Sequence, residues 1–179
     1  MTVKEFMILS EVTKDDLQAK ISRLERPLSV LGRSVPESLN SLKIGQIFEL
    51  QNIKTEADVM EVPCRVILKL DPSEVMEADA AEVFGFVVWV SKEMERINKL
   101  FESTRIPPTQ EEKQAGVEQL NFGAFGILDW YAQRMGMKDH DEVAKTPWIR
   151  VYKCLDLDAK RCMYERRLRE VYASKERKK

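Results

Sequence analysis

The chain opens helices again and again. The first turn of a helix leaves backbone N–H groups unpaired, and a Ser, Thr or Asp just outside it supplies the oxygen they need. Thr2 stands three residues before Glu5, and Thr109 three before Glu112, which is the spacing of a reciprocal capping box. Thr13 precedes Asp15 and Asp16, and Thr55 precedes Asp58, a weaker partner than Glu at that position. Asp71-Pro72-Ser73-Glu74 puts Asp at the cap, Pro at the first helical position and an acid in the first turn. Asp79, then Asp139 or Asp141, then Thr146-Pro147 complete the series. This punctuation predicts a mainly α protein, a compact multi-helix bundle with short connectors.

The apolar spacing between the starts agrees. The first segment, from Thr2 to Val12, carries Phe6, Met7 and Leu9 on an apolar side, with a strand as the competing reading. Thr13 opens a second helix expected to run to about Arg26, where Pro27 interrupts it. Residues 29–39 contain Gly32 and Pro36 and read as a connector. Leu42, Ile44, Ile47, Phe48 and Ile53 then define a helix face, and Gly45 inside it suggests a close backbone approach or a weak spot. Pro63 should end or kink the helix begun at Thr55. The longest predicted helix covers residues 80–103; Phe86, Val88, Trp89 and Val90 make its first half apolar nearly all round, so that half should be buried. An aromatic helix begins at Asn121 or Phe122 and ends at Gly136. The helix opened by Thr146-Pro147 carries Trp148, Val151, Tyr152 and Leu155 on one face. Asp156 and Asp158 are expected to break or restart it before a last basic helix, in which Tyr164 and Tyr172 suit a core stripe. The organisation expected is an N-terminal helical or partly extended appendage over residues 1–35, followed by a helical domain over residues 36–179.

Charge excludes a global bias toward nucleic acid, since the net charge is −1. It is unevenly spread. Residues 54–84 hold eight acids against three bases, and residues 160–179 hold nine bases against three acids. Solvated helix faces explain this most simply; a basic tail is the alternative, built from Arg166, Arg167, Arg169, Lys175, Arg177, Lys178 and Lys179. Three cysteines without framework spacing suggest a reducing compartment, and the start lacks the pattern of a signal peptide. Residues 83–90 are too few to span a bilayer, so no membrane partner is expected.

Catalytic chemistry is not indicated. His140, the one histidine, lies in Lys-Asp-His-Asp-Glu without a second ligand at metal-binding spacing, and reads as a solvated turn residue. Asp156-Leu-Asp158 opens like a calcium loop, but Lys160, Arg161 and Arg167 occupy positions that need an oxygen, a Gly and a Glu. Cys64, Cys154 and Cys162 read as buried apolar side chains. No nucleophile elbow, zinc motif or glycine-rich nucleotide loop occurs. The expected catalytic, cofactor and metal residues are therefore none, and the protein is expected not to be an enzyme.

Three blocks carry a resemblance: SLNSLKIGQIFELQNI, VPCRVILKLDPSEVMEADAAEVFGFVVWV, and FGAFGILDWYAQRMGMKDHDEVAKTPWIRVYKCL with the charged helix after it. In this order, over about residues 38–171, they resemble the tail assembly chaperones of long-tailed bacteriophages. The resemblance implies a helical, non-enzymatic protein of the host cytoplasm, without a cofactor. Such a protein binds the tape measure protein and helps recruit tail tube protein, often beside a frameshifted longer form. A chaperone of this kind needs apolar patches that a client can cover. Phe122, Phe125, Trp130, Met135, Met137 and Trp148 are the candidates, although the same side chains would equally form the protein's own core. The alternatives are a virion structural component, such as a connector or cargo protein, and a small nucleic-acid-binding regulator using the basic C-terminus; a homo-oligomer is compatible with each.

Overall fold

A computed structural model describes residues 1–12 and 17–176. The predicted cap at Thr13, Asp15 and Asp16 lies outside the described residues, as do Arg177, Lys178 and Lys179. The fold is mainly α. Among the described residues are α1 (Val3–Val12), α2 (Leu17–Ile21), α3 (Ile44–Gln51), α4 (Asp58–Pro63), α5 (Pro72–Glu77), α6 (Ala80–Ser103), α7 (Gln110–Gln114), α8 (Gly123–Met135), α9 (His140–Ala144) and α10 (Trp148–Glu176). By their contacts the residues form two units. One comprises Met1–Leu42 and Gln46–Arg96; the other comprises Lys43–Gly45 and Ile97–Lys179.

The first unit is pinned by its caps. Thr2 N–H donates to Glu5 at 2.9 Å and Glu5 N–H to Thr2 Oγ1 at 3.2 Å, the predicted box. Thr55 and Asp58 exchange the same pair of bonds, at 2.9 and 3.2 Å. Asp71 N–H donates to Glu74 at 2.8 Å. Asp79 accepts from Ala81 and Glu82 at the head of α6, and these donors hold its carboxyl below the usual carboxylate range, Glu82 N–H most of all. Val3 N–H bonds Ala78 O and Ala80 N–H bonds Met1 O, which seats α1 beside α5. Val30, Leu39, Ile47, Val75, Val83 and Phe86 are among its fully buried side chains.

Four features here go beyond or against expectation. Residues 29–39 are more than a connector. Ser29–Val30 (β1) and Arg33–Ser34 (β2) pair antiparallel in a two-residue-turn hairpin, and Leu39–Ser41 forms a 3-10 turn. Strands this short leave no alternation to detect. The second helix stops at Ile21, well short of Arg26. Pro63 ends α4, but the chain passes directly into a π turn over Cys64–Leu68, closed by Lys69 at φ +58°. The first half of α6 is buried on the side of Val83, Phe86 and Val90, while Val88 and Trp89 are only half-buried. Gly85 of α6 lies against the Glu25 carbonyl, so close that a Cβ there would fall 2.5 Å from that oxygen.

In the second unit, α8 ends at Gly136 with φ +66°, as predicted, and Met137 N–H returns to Ala132 O at 2.9 Å. Asp139 caps α9 by accepting from Asp141 N–H at 2.8 Å. Thr109 and Glu112 form their capping box at the head of α7. Lys43 bridges Pro147, and Ile44 N–H donates to Thr146 O at 2.9 Å. Gly45 does make a close approach: a Cβ there would sit 3.1 Å from Ala144 O. Trp148 is buried, in ring contact with Phe101 and Tyr152 at 6.0 and 6.3 Å.

The expected break at Asp156 and Asp158 does not occur; α10 is continuous for 29 residues. No Gly or Pro interrupts it, and both carboxylates are taken up by cations. Asp156 receives Lys160 at 2.7 Å, and Asp158 receives Arg134 at 2.7 and 2.8 Å. Tyr164 and Tyr172 are exposed and belong to no core stripe. Cys64 is buried as expected, whereas Cys154 and Cys162 are only half-buried.

Candidate protein-interaction surface

Phe122 and Phe125 are large apolar side chains held in solvent, 67% and 60% exposed. The backbone around them is fixed locally. Asn121 accepts from Gly123 N–H at 3.1 Å, and Gly126 N–H donates to Phe122 O at 3.0 Å, so Phe122 caps α8 instead of facing the interior. Phe125 packs against the His140 ring at a tilt of 48°, with centroids 4.9 Å apart, and His140 Nε2 lies 3.3 Å from Asp129 Oδ1. His140 is therefore a half-buried ring that props an aromatic, not a free turn residue. Inward-facing Tyr131 is buried on the same helix, and desolvation pushes its hydroxyl above the ordinary value.

The six candidate residues part company. Phe122 and Phe125 lie together on the outer side at the start of α8. Met135 is exposed too, but about 15 Å further along the helix. Trp130 is half-buried, ringed by Tyr131 and by the Arg134 guanidinium 5.8 Å from its centroid. Met137 is half-buried just past the Gly136 cap. Trp148 belongs to the interior. Leu120, which no sequence pattern singles out, is also exposed, at 62%. It follows a 3-10 turn over Val117–Gln119 and so falls outside any helical period that would have drawn notice. Leu120 and Asn121 also line an open groove of about 520 Å³ with Arg105, Ile106, Pro108 and Val117.

The basic-tail candidates divide likewise. Arg166 is committed to the fold: it donates to Pro107 O at 2.7 Å and to both Glu112 oxygens at 2.8 and 3.1 Å. Arg167 Nε donates to Met163 O, and Arg169 lies 3.9 Å from Glu165. Lys175 is exposed.

The rest of the titratable chemistry is local. Asp58 is held below the usual carboxylate range, chiefly by Lys54 N–H. Burial alone pushes the Cys64 thiol up to about 12, which keeps it protonated and unreactive. Among the described residues there is no group of three His, Cys, Asp or Glu side chains placed to hold a metal ion. No described helix is long and apolar enough to cross a membrane. No protein-family model, curated protein or solved structure matches the chain.

Proposed function

We propose that the protein is a non-enzymatic binding module that holds an apolar client during assembly, in the manner of phage tail assembly chaperones. On this reading the client is a helical segment of a tape measure protein, tail tube protein is recruited afterwards, and the work is done in the host cytoplasm. The observation that carries the reading is the pair Phe122 and Phe125, with Leu120 beside them. Exposed aromatics propped by their own helix and by His140 make an anchoring patch, and the adjoining groove gives a client chain somewhere to lie. Two aromatic anchors one turn apart suit insertion against the apolar face of a client helix.

Co-expression with a tape measure protein tests the reading. The expected result is a co-purifying complex and a more soluble client. Phe122→Ser with Phe125→Ser should abolish the complex while leaving far-UV circular dichroism and melting temperature unchanged, since neither ring is in the core. A complex that survives both substitutions, or no complex with the unaltered chain, overturns the reading. The nucleic-acid alternative is weakened by Arg166, whose guanidinium is occupied by Glu112 and the Pro107 carbonyl. The virion-component alternative is separated by mass spectrometry of purified particles, from which a chaperone is missing.

A further inference from the structure

One face of α10 holds the helix to its own unit and the opposite face is bare. Trp148 and Arg166 are eighteen residues apart, five helical turns, so they share a face. Trp148 is in the core and Arg166 ties to Glu112 and Pro107. Leu157 stands half a turn round from Trp148, and a line of large side chains follows it: Tyr164, Leu168, Val171 and Tyr172. Leu157, Tyr164, Val171 and Tyr172 are between 47% and 59% exposed.

The line has a heptad register. Leu157, Tyr164 and Val171 recur every seven residues and occupy d positions; Arg161, Leu168 and Lys175 then occupy a. The flanks are sorted by charge. Lys160 and Arg167 fall at g, while Glu165 and Tyr172 fall at e. All four are exposed; Lys160 bridges Asp156, Arg167 Nε donates to Met163 O and Glu165 lies 3.9 Å from Arg169, contacts within α10 at the surface that a second helix would exchange. Asp158, at the preceding e position, is already engaged by Arg134, so that flank of the seam starts beyond it, while Leu157 at d stays 51% exposed.

We infer that this face of α10 is a parallel two-stranded coiled-coil seam for a second copy of the same chain. In a parallel pair each g residue meets the following e residue of the other helix. Lys160 then meets Glu165 of the second copy, and Arg167 meets the Tyr172 ring, as a cation against an aromatic face. Both contacts occur twice by symmetry. An antiparallel pair sets g against g and e against e, which would face Lys160 and Arg167 with cations. The parallel direction also sets Arg161 and Lys175 against their own copies, so what favours it is the Lys160–Glu165 attraction, made twice and absent from the antiparallel pair. Arg161 and Lys175 at a positions weaken the seam and oppose larger assemblies, and their long stems let the charges reach water at the edge of the seam. The dimer is weak and concentration-dependent. It leaves Phe122 and Phe125 out of the contact, so it stands whether or not the client proposal does.

Sedimentation velocity of the full chain, over a wide range of concentration, should show a monomer–dimer equilibrium. Glu165→Lys should weaken the dimer about tenfold, since two attractions become two repulsions. Lys160→Glu should do the same. An equimolar mixture of these two variants should recover it as a heterodimer, which only the parallel g-to-e pairing explains. Leu168→Cys should cross-link to itself on mild oxidation, because residues at a face their own copies. Unaltered circular dichroism confirms that each variant remains folded. A chain that stays monomeric to its solubility limit overturns the inference. So does a dimer indifferent to both charge reversals, or a bare face that takes up only a tape measure helix.

Discussion

Gly85 shows how a single backbone contact reverses an ordinary expectation. In an exposed helix interior, Gly→Ala usually stabilises by about 1 kcal/mol. Here the added methyl would meet the Glu25 carbonyl oxygen at 2.5 Å, and a backbone atom does not swing aside. Gly85→Ala should therefore destabilise the first unit by about 1–3 kcal/mol, read from chemical denaturation. A stabilised variant would mean that residues 25 and 85 do not meet. This contact is not legible in the sequence, since nothing in the run Val83–Val90 names its neighbour. Gly45 is legible as a break in an apolar helix face, and the same logic applies there more gently, against Ala144. The aromatics teach a related lesson. Phe122 and Trp148 look alike as apolar residues near helix starts, but Phe122 caps α8 from outside its core-facing arc, while Trp148 begins α10 in register with buried Val151. Composition cannot distinguish them; the azimuth of each residue can.

At the level of elements, starts are legible from their caps, and stops where a Gly or Pro marks them, as at Gly136 and Pro63, but not at Ile21 or Asp156. A cap is local chemistry, and the reciprocal bonds at Thr2, Thr55 and Thr109 lie where the spacing put them. A stop depends on what the following residues meet, which is why Asp156 and Asp158 failed to break α10 once Lys160 and Arg134 took their charge. The two-residue strands and the π turn after Pro63 carry no periodic signal at all. Glu93 of α6 is a non-local cap. It accepts from Leu39 N–H at 3.0 Å, at the head of a 3-10 turn, and from Arg96 at 2.8 Å. Arg96 above all holds its carboxyl below the usual range. A carboxyl lowered on folding contributes stability above its ordinary range, near 4.5. That contribution is lost as pH falls through the lower folded value. Glu93→Gln should cost about 1–2 kcal/mol at neutral pH. The deficit should shrink as both proteins are acidified, measured by urea unfolding between neutral pH and about pH 3. A deficit that is constant with pH would remove Glu93 from this role.

For the molecule as a whole, the distinctive fact is that the second unit borrows three residues from the middle of the first unit's sequence. Lys43–Gly45 belongs with Ile97 onward, through the Lys43–Pro147 bridge, the Ile44–Thr146 hydrogen bond and the buried Ile44 side chain. No single cut in the chain yields both units whole. A fragment of residues 97–179 should fold with a clearly lower melting temperature than the same fragment carrying residues 38–51 on a flexible linker, because only the second restores Ile44 to its place. Equal melting temperatures would show that the borrowed segment adds nothing. Composition does not reveal such a segment, since residues 43–45 sit inside an ordinary helical pattern.

The three tryptophans turn this organisation into an optical property. Trp89 lies in the first unit beside Phe86; Trp130 and Trp148 lie in the second, one half-exposed under Arg134 and one fully enclosed. Intrinsic fluorescence is thus already divided among three environments. In a protein that keeps only Trp130, emission comes from the helix that presents Phe125, so occupancy of that helix can be followed without an attached dye. In one that keeps only Trp148, the colour of the emission reports whether the interior of the second unit has opened to water.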